Sequence, residues 1–194
     1  MECFARTKNP SAGTEHVMFK SHRLRILLKM NIRTKNESEN ECLVKDIVSN
    51  LISRYDIPTF TDNVVIEDEV IPHSHPVLTL GTRVIEPFLI LKTLIHEQFH
   101  WFEAGHYKYK EAMEFLKSNY KDLGDCGKNS DSFWQHLIVC WNTRNFLQNN
   151  FDSKEVENTY SFKQPYSLTE VFVKENFERL KDDLGKFEMV YDKK

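Results

Sequence analysis

Glycine and proline are scarce, six of each in 194 residues, which excludes a collagen-like or low-complexity chain. Cysteine is scarcer still: Cys3, Cys42, Cys126 and Cys140 stand apart, with no Cys-x-x-Cys pair. That scatter argues against a zinc ribbon or a disulfide scaffold and suits reduced thiols in a cytosol-like compartment. No apolar run approaches the ~18 residues of a membrane helix, and the start MECFARTKNPSAGTEH has no apolar signal core. The chain is therefore expected to be soluble and cytoplasmic by default, with no membrane partner; export by a signal-independent route stays open. A large charge excess is missing too. The net charge of −3 at pH 7 gives no electrostatic reason to expect nucleic acid as a partner. Eight Lys and Arg against two Glu between Met1 and Lys35 make that end locally basic, which reads most simply as a solvated strand face.

What is present is enough apolar residue, 40%, to build one domain core. Residues 1–20, with Asn9-Pro10-Ser11-Ala12-Gly13, read as a loose lead-in, and 21–194 as a single domain. In HRLRILLKMNIR, Leu24, Ile26, Leu28, Met30 and Ile32 alternate with polar residues, the period of a half-buried strand. Ser38-Glu39-Asn40-Glu41 followed by Val44, Ile47, Val48 and Leu51 predicts an amphipathic helix. Asn63–Ile66 and Val70-Ile71 read as short β pieces joined by Glu67-Asp68-Glu69 in a hairpin or solvated turn. Residues 76–81 read as another strand, with Pro76 at its start.

Glu86-Pro87 then opens a helix through FLILKTLIHEQFHWFEA, stopped near Gly105. Further helices are expected over 109–120, over 131–148, and from Ser167, where Ser167-Leu168-Thr169-Glu170 forms a capping box. Strands crowd the first half and helices the second, so the expected class is α+β: a small mixed sheet packed on the 87–104 helix, with a helical C-terminal half.

The chemistry concentrates in LIHEQFHWFEAGH. His96 and His100, four apart on a helix, project from one face and can share a zinc ion. Glu97 is offset from the ligands and suited to act as general base on a zinc-activated water, whose pKa zinc lowers to about 7. The motif falls on an apolar helix preceded by a strand, the context it requires; the bland alternative is that the two histidines merely pack or cap.

In this arrangement, His96-Glu97-x-x-His100 on a helix after a β-rich half, the chain resembles the zincin metallopeptidases. Residues 74–102 and the later HLIVCW also look similar to uncharacterised bacterial metallopeptidases. The resemblance is specific over about 30 residues and otherwise rests on element order. It implies a zincin-like fold, Zn2+ as cofactor, hydrolysis of peptide bonds, and a peptide or protein substrate added in extended form along strand 76–81.

Catalytic zinc takes three protein ligands and a water. His106 stands at the interval that the resemblance to metzincins would assign to a third ligand, but Glu103 occupies the place of their glycine, and Gly105 leaves one residue for the return to the metal. His136, on the apolar face of the 131–148 helix in FWQHLIVCW, is the preferred third ligand, with His106 the alternative and Glu103, Glu111, Glu114 or Glu170 behind them. Glu103, seven residues after His96, is placed to orient a ligand imidazole or simply to face solvent. His73 and His75 share one side of an extended segment and could form a second metal site or touch substrate, although most loop histidines have neither role. Tyr107 and Tyr109 are possible oxyanion donors, with ordinary packing the simpler account. The Met189 segment, FEMVY, looks only superficially like a metzincin Met-turn.

Two functions compete on this reading. One is a zinc metallopeptidase with Glu97 as base. The other is an inactive zincin-fold binding or regulatory module whose metal is structural or absent; a site closed by both His106 and His136 would belong to it.

Overall fold

A computed structural model describes residues 30–120, 131–161 and 167–192. The expected lead-in and most of the first predicted strand lie outside the described residues. The order is β1 (Asn31–Thr34), α1 (Glu39–Arg54), β2 (Asn63–Glu67), β3 (Leu78–Gly81), α2 (Pro87–Gly105), α3 (Tyr109–Asn119), α4 (Asp131–Asn150), α5 (Ser153–Tyr160), α6 (Ser167–Glu175) and α7 (Phe177–Gly185). The broad expectation of a small sheet in the first half and helices in the second is what the described residues show.

The sheet differs in its pairing. Its three strands run β1-β2-β3, all parallel, with Ile32 opposite Val64 and Ile66 opposite Leu80. Among the described residues, antiparallel pairing is confined to one bridge between His73 and Thr79. Of the hairpin or solvated turn expected over 63–71, the structure has the turn, at Asp68 and Glu69, because β2 lies between β1 and β3 and both of its edges are taken. Val64 and Ile66, on one face of β2, are fully buried, whereas Val65 and Glu67 on the other are half-buried.

Gly81 explains how the 68–77 connection returns to the sheet. A Cβ on Gly81 would lie 2.2 Å from the Val70 carbonyl oxygen, so only glycine lets the chain pass that close. The connection then crosses the outer edge of β3, where His73 and Thr79 exchange N–H···O bonds of 3.0 and 2.8 Å.

α1 begins where the sequence places it. The Ser38 hydroxyl accepts from the Glu41 N–H, and the buried Glu41 carboxylate accepts in turn from the backbone N–H groups of Asn36 and Asp68. Burial pushes the Glu41 carboxyl up, but these donors together outweigh it and hold it below the usual carboxylate value.

Two cores flank α2 and α4. One joins the sheet, α1 and α2 around Val48, Ile66, Leu78, Leu91 and Phe99. The other joins α3, α4, α6 and α7 around Leu116, Leu137, Trp141, Val173 and Leu184. α4 is buried without interruption from Leu137 to Arg144, the pattern of a helix surrounded on all sides.

Two helical expectations change. The last helix is two, α6 and α7, meeting at Asn176, whose backbone N–H and side-chain amide both donate to the Phe172 carbonyl. α5 was not foreseen; Asp152 caps it, accepting from Lys154 and Glu155.

Candidate metal centre

α2 carries the site and is held at both ends. Glu86 caps it, its carboxylate accepting from the Phe88 and Leu89 N–H groups, and Pro87 stands at the first turn, where its missing donor costs nothing. Farther along, the fully buried Gln98 accepts from Phe60 and Thr61 N–H and donates to the Thr61 carbonyl. Trp101 Nε1 donates to the Ser74 carbonyl, and its ring lies 4.5 Å from that of His75. The helix thus fixes the 60–61 loop on one side and the 72–75 segment on the other.

His96 and His100, one turn apart, have ring centroids 5.0 Å from each other. α4 packs against α2 and brings the ring of His136 to 4.9 Å from that of His100 and 5.7 Å from that of His96. One nitrogen from each imidazole lies within 4.8 Å of the others, and these three form the candidate metal-holding group among the described residues. Burial holds His96 well below the ordinary histidine value, with the charges of His100, His136 and Lys92 acting the same way. Burial also holds His100 down, at about 4. Histidines kept neutral present free lone pairs, the form a metal requires. The donor set therefore fits a divalent ion such as zinc.

Beside the histidines is a cleft of about 380 Å³ lined by Glu97, His100, Glu103, Tyr109, Gln135, His136 and the 72–75 segment. Glu97 is 4% exposed, and burial pushes its carboxyl up to about 8. Glu103 is buried too, and burial pushes it up to about 9. One Glu103 oxygen stands 3.6 Å from His100 Nδ1, while the other is buried without a hydrogen-bond partner. Glu103 therefore faces a ligand imidazole rather than solvent.

His106 does not join the group. It caps the C-terminus of α2, its ring packs 5.5 Å from Phe102 and 5.0 Å from Tyr107, and its Nδ1 accepts from the Lys108 N–H. Of the two tyrosines, Tyr109 lines the cleft, whereas Tyr107 is exposed and donates to Glu188. Met189 is buried in the second core, and its carbonyl accepts from Asn142. Glu111 and Glu114 are exposed on α3, and Glu170 pairs with Lys92.

His73 and His75 both reach the cleft. Gln135, absent from the expected site, does as well; its only signal was its place before His136. Gln98 and Trp101 gave no functional signal either, because their partners lie 27 or more residues away. Cys42 and Cys140 are unpaired thiols, and no helix among the described residues is long and apolar enough to cross a membrane. No protein-family model, curated protein or solved structure matches the chain.

Proposed function

We propose that the chain is a zinc-dependent metallopeptidase of the zincin type, with His96, His100 and His136 as the zinc ligands and Glu97 as general base. The observation that carries this reading is the convergence of three imidazoles from two helices, two of which, His100 and His136, line one cleft together with the buried Glu97 carboxyl. Three histidines with an open position are the donor pattern of catalytic rather than structural zinc. The packing of His106 on Phe102 and Tyr107 removes the fourth histidine that a closed, structural site would need.

When bound, the ion would supply Lewis acidity, polarising the substrate carbonyl and acidifying a water. Glu97 would take the proton from that water and hand it to the leaving amine. The burial that raises its pKa also leaves the carboxylate poorly hydrated, hence a stronger base, and a neighbouring cation would draw the pKa back toward neutrality. Glu103, 3.6 Å from His100 Nδ1, would fix the orientation of that ring. Tyr109 and the His73–His75 segment would face the substrate.

The substrate's place follows from the sheet edge. Thr79 already spends its N–H and carbonyl on His73, so an extended peptide would lie against the 72–75 segment rather than directly on β3.

The test is metal content and cleavage together. Purified protein supplied with zinc should hold about one ion per chain and cleave an unfolded protein substrate, while Glu97→Gln should keep the ion and lose cleavage. Absence of any bound transition metal after zinc is supplied would overturn the proposal, as would full activity in Glu97→Gln.

A further inference from the structure

The 70–75 segment runs alongside α2 and is fixed at both ends. At its start the Val70 carbonyl oxygen passes Gly81 so closely that a Cβ there would lie 2.2 Å from it. At its end the Ser74 carbonyl accepts from Trp101 Nε1 over 2.9 Å. Two pockets lie between this segment and the helix. One is the cleft of the metal centre. The other, of about 200 Å³, is nearer the start of α2, walled by Val70, Ile71, Leu80 and Val84 together with Ile90 and Thr93 of the helix. Pro72 lines both.

The pockets also share a face of α2. Ile90, Thr93 and Glu97 follow one another at intervals of three and four residues, the spacing of a single helical stripe. The first two line the second pocket and Glu97 lines the cleft. At ~1.5 Å per helical residue the second pocket begins about 6–10 Å from Glu97, the reach of roughly two or three residues of extended peptide.

The chemistry of the two differs. Histidine and glutamate side chains line much of the cleft, whereas aliphatic side chains wall the second pocket. Arg83 at its rim is already paired with Glu69 at 3.2 Å. Its mouth is open: Ile71 is 66% and Val84 44% exposed, and the neighbouring Ile85 is 55% exposed. Apolar residues exposed singly need no explanation, but three together at an apolar pocket mark a binding surface. The volume exceeds the ~150 Å³ that holds a benzene ring, so a Leu, Met or Phe side chain fits.

We propose that this pocket sets the substrate specificity of the peptidase: it takes an aliphatic or aromatic side chain roughly two or three residues from the bond that is cleaved. The inference rests on the peptidase reading above. A peptide extended against the 72–75 segment continues past Pro72 and brings that side chain to the pocket while its scissile carbonyl stays at the metal. Alanine or a polar residue there would leave the aliphatic walls wet, so the selection is for apolar bulk.

The experiment offers the zinc-supplied full chain polar peptides that differ in one residue, Leu or Ala, placed at successive positions. Mass spectrometry identifies the cleaved bonds, and fluorescence anisotropy measures binding of the same peptides to zinc-supplied Glu97→Gln. With Leu two or three residues to one side of the cleaved bond, kcat/KM should exceed that of the Ala peptide by about tenfold, and the Leu peptide should bind more tightly. Ile71→Asp/Val84→Asp, which alters only exposed side chains, should bring both ratios close to one. If that variant fails to fold, Ile71→Ala/Val84→Ala should lower them several-fold. Equal treatment of Leu and Ala by the wild type, or a preference unchanged in a folded variant, would overturn the inference. So would sedimentation showing a dimer of the wild type that Ile71→Asp/Val84→Asp dissociates, which would assign the apolar mouth to a second copy of the chain. A Leu preference in binding that the variant loses, with no peptide cleaved, would instead overturn the peptidase reading and leave the pocket as a peptide-binding site.

Discussion

Replacing His136 with alanine separates the three-histidine site from every other arrangement. The three nitrogens lie within 4.8 Å of one another. Tetrahedral coordination at ~2.05 Å sets ligand nitrogens roughly 3.4 Å apart, so closing on an ion takes at most about 1.4 Å, a side-chain rotation rather than a helix movement. The site should therefore bind with ordinary strength per ligand. A four-ligand structural zinc is worth ~10–16 kcal/mol, or roughly 2.5–4 kcal/mol for each ligand. Losing His136 should weaken zinc by about 10²- to 10³-fold. Competition against a chromophoric chelator reads this directly, with His106→Ala in parallel, and that variant should stay within about threefold of wild type. Thermal unfolding gives a second readout. Zinc at ~1,000 times its Kd stabilises by about 4 kcal/mol, and at ~2–4 °C per kcal/mol for a chain of this size Tm should rise by about 8–16 °C. At the same free zinc, His136→Ala should lose most of that rise. Wild-type affinity in His136→Ala, or loss of zinc in His106→Ala, would refute the assignment.

Glu97→Gln should retain zinc while cleavage of an unfolded protein falls by about 10²- to 10⁴-fold; a loss of less than tenfold would remove Glu97 from the proton transfer. Without metal, the folded chain keeps protons on Glu97 and Glu103 up to about 8 and 9 that the unfolded chain releases near 4.5, so its stability should fall as pH rises across that window. His100 resists a proton down to about 4 that the unfolded chain takes near 6.5, so stability should also fall as pH drops from 6.5 toward 4. Melting curves of chelator-treated protein should show both limbs, and Glu97→Gln should flatten the alkaline one; an unchanged alkaline slope would contradict the burial of that carboxyl. Gln98→Leu strands two N–H groups and one carbonyl of the 60–61 loop. These bonds are only part-buried, so at ~0.5–1.5 kcal/mol net for each hydrogen bond, urea unfolding should report a loss of about 1.5–4.5 kcal/mol, and a loss under about 0.5 kcal/mol would show that the loop finds other partners.

The helices of the site were legible because their signals are local. Ser38 with Glu41, and Glu86 with Pro87, mark starts that need only three or four neighbouring residues to operate. The His96–His100 pair was legible for the same reason, since four-residue spacing on a helix dictates a shared face. His136 needed one further step: a histidine on an apolar helical face wants a polar partner, and an incomplete metal site supplies one. The parallel sheet was not legible. Asn63–Ile66 and Val70-Ile71 left a hairpin and a solvated turn both open because strand direction is set by a partner distant in sequence, in this case residues 31–34 and 78–81. Gln98 and the Lys92–Glu170 pair were hidden in the same way. The only trace was a lysine and a glutamine where the helical period called for apolar residues.

The electrostatics of α2 point to the class of ligand independently of the motif. This one helix buries Lys92, His96, Glu97, Gln98 and Glu103. Glu170 offsets Lys92, and the backbone of Phe60 and Thr61 satisfies Gln98. Around the cleft, burial drives the groups toward neutrality: His96 and His100 downward, Glu97 and Glu103 upward. An anion would leave the cost of ionising both carboxyls in place and add repulsion. A neutral ligand would leave that cost unchanged. A divalent cation alone inverts it, since it takes the imidazoles in the neutral form that burial already favours and its charge pulls each carboxyl back toward the ionised state. The same groups that destabilise the metal-free fold at alkaline pH thus become attractive around a cation, so zinc should raise Tm more at pH 8 than at pH 6 by more than the deprotonation of its ligands accounts for. Equal zinc-induced shifts in Glu97→Gln and the wild type at pH 8 would show that the Glu97 carboxyl takes no part in that attraction.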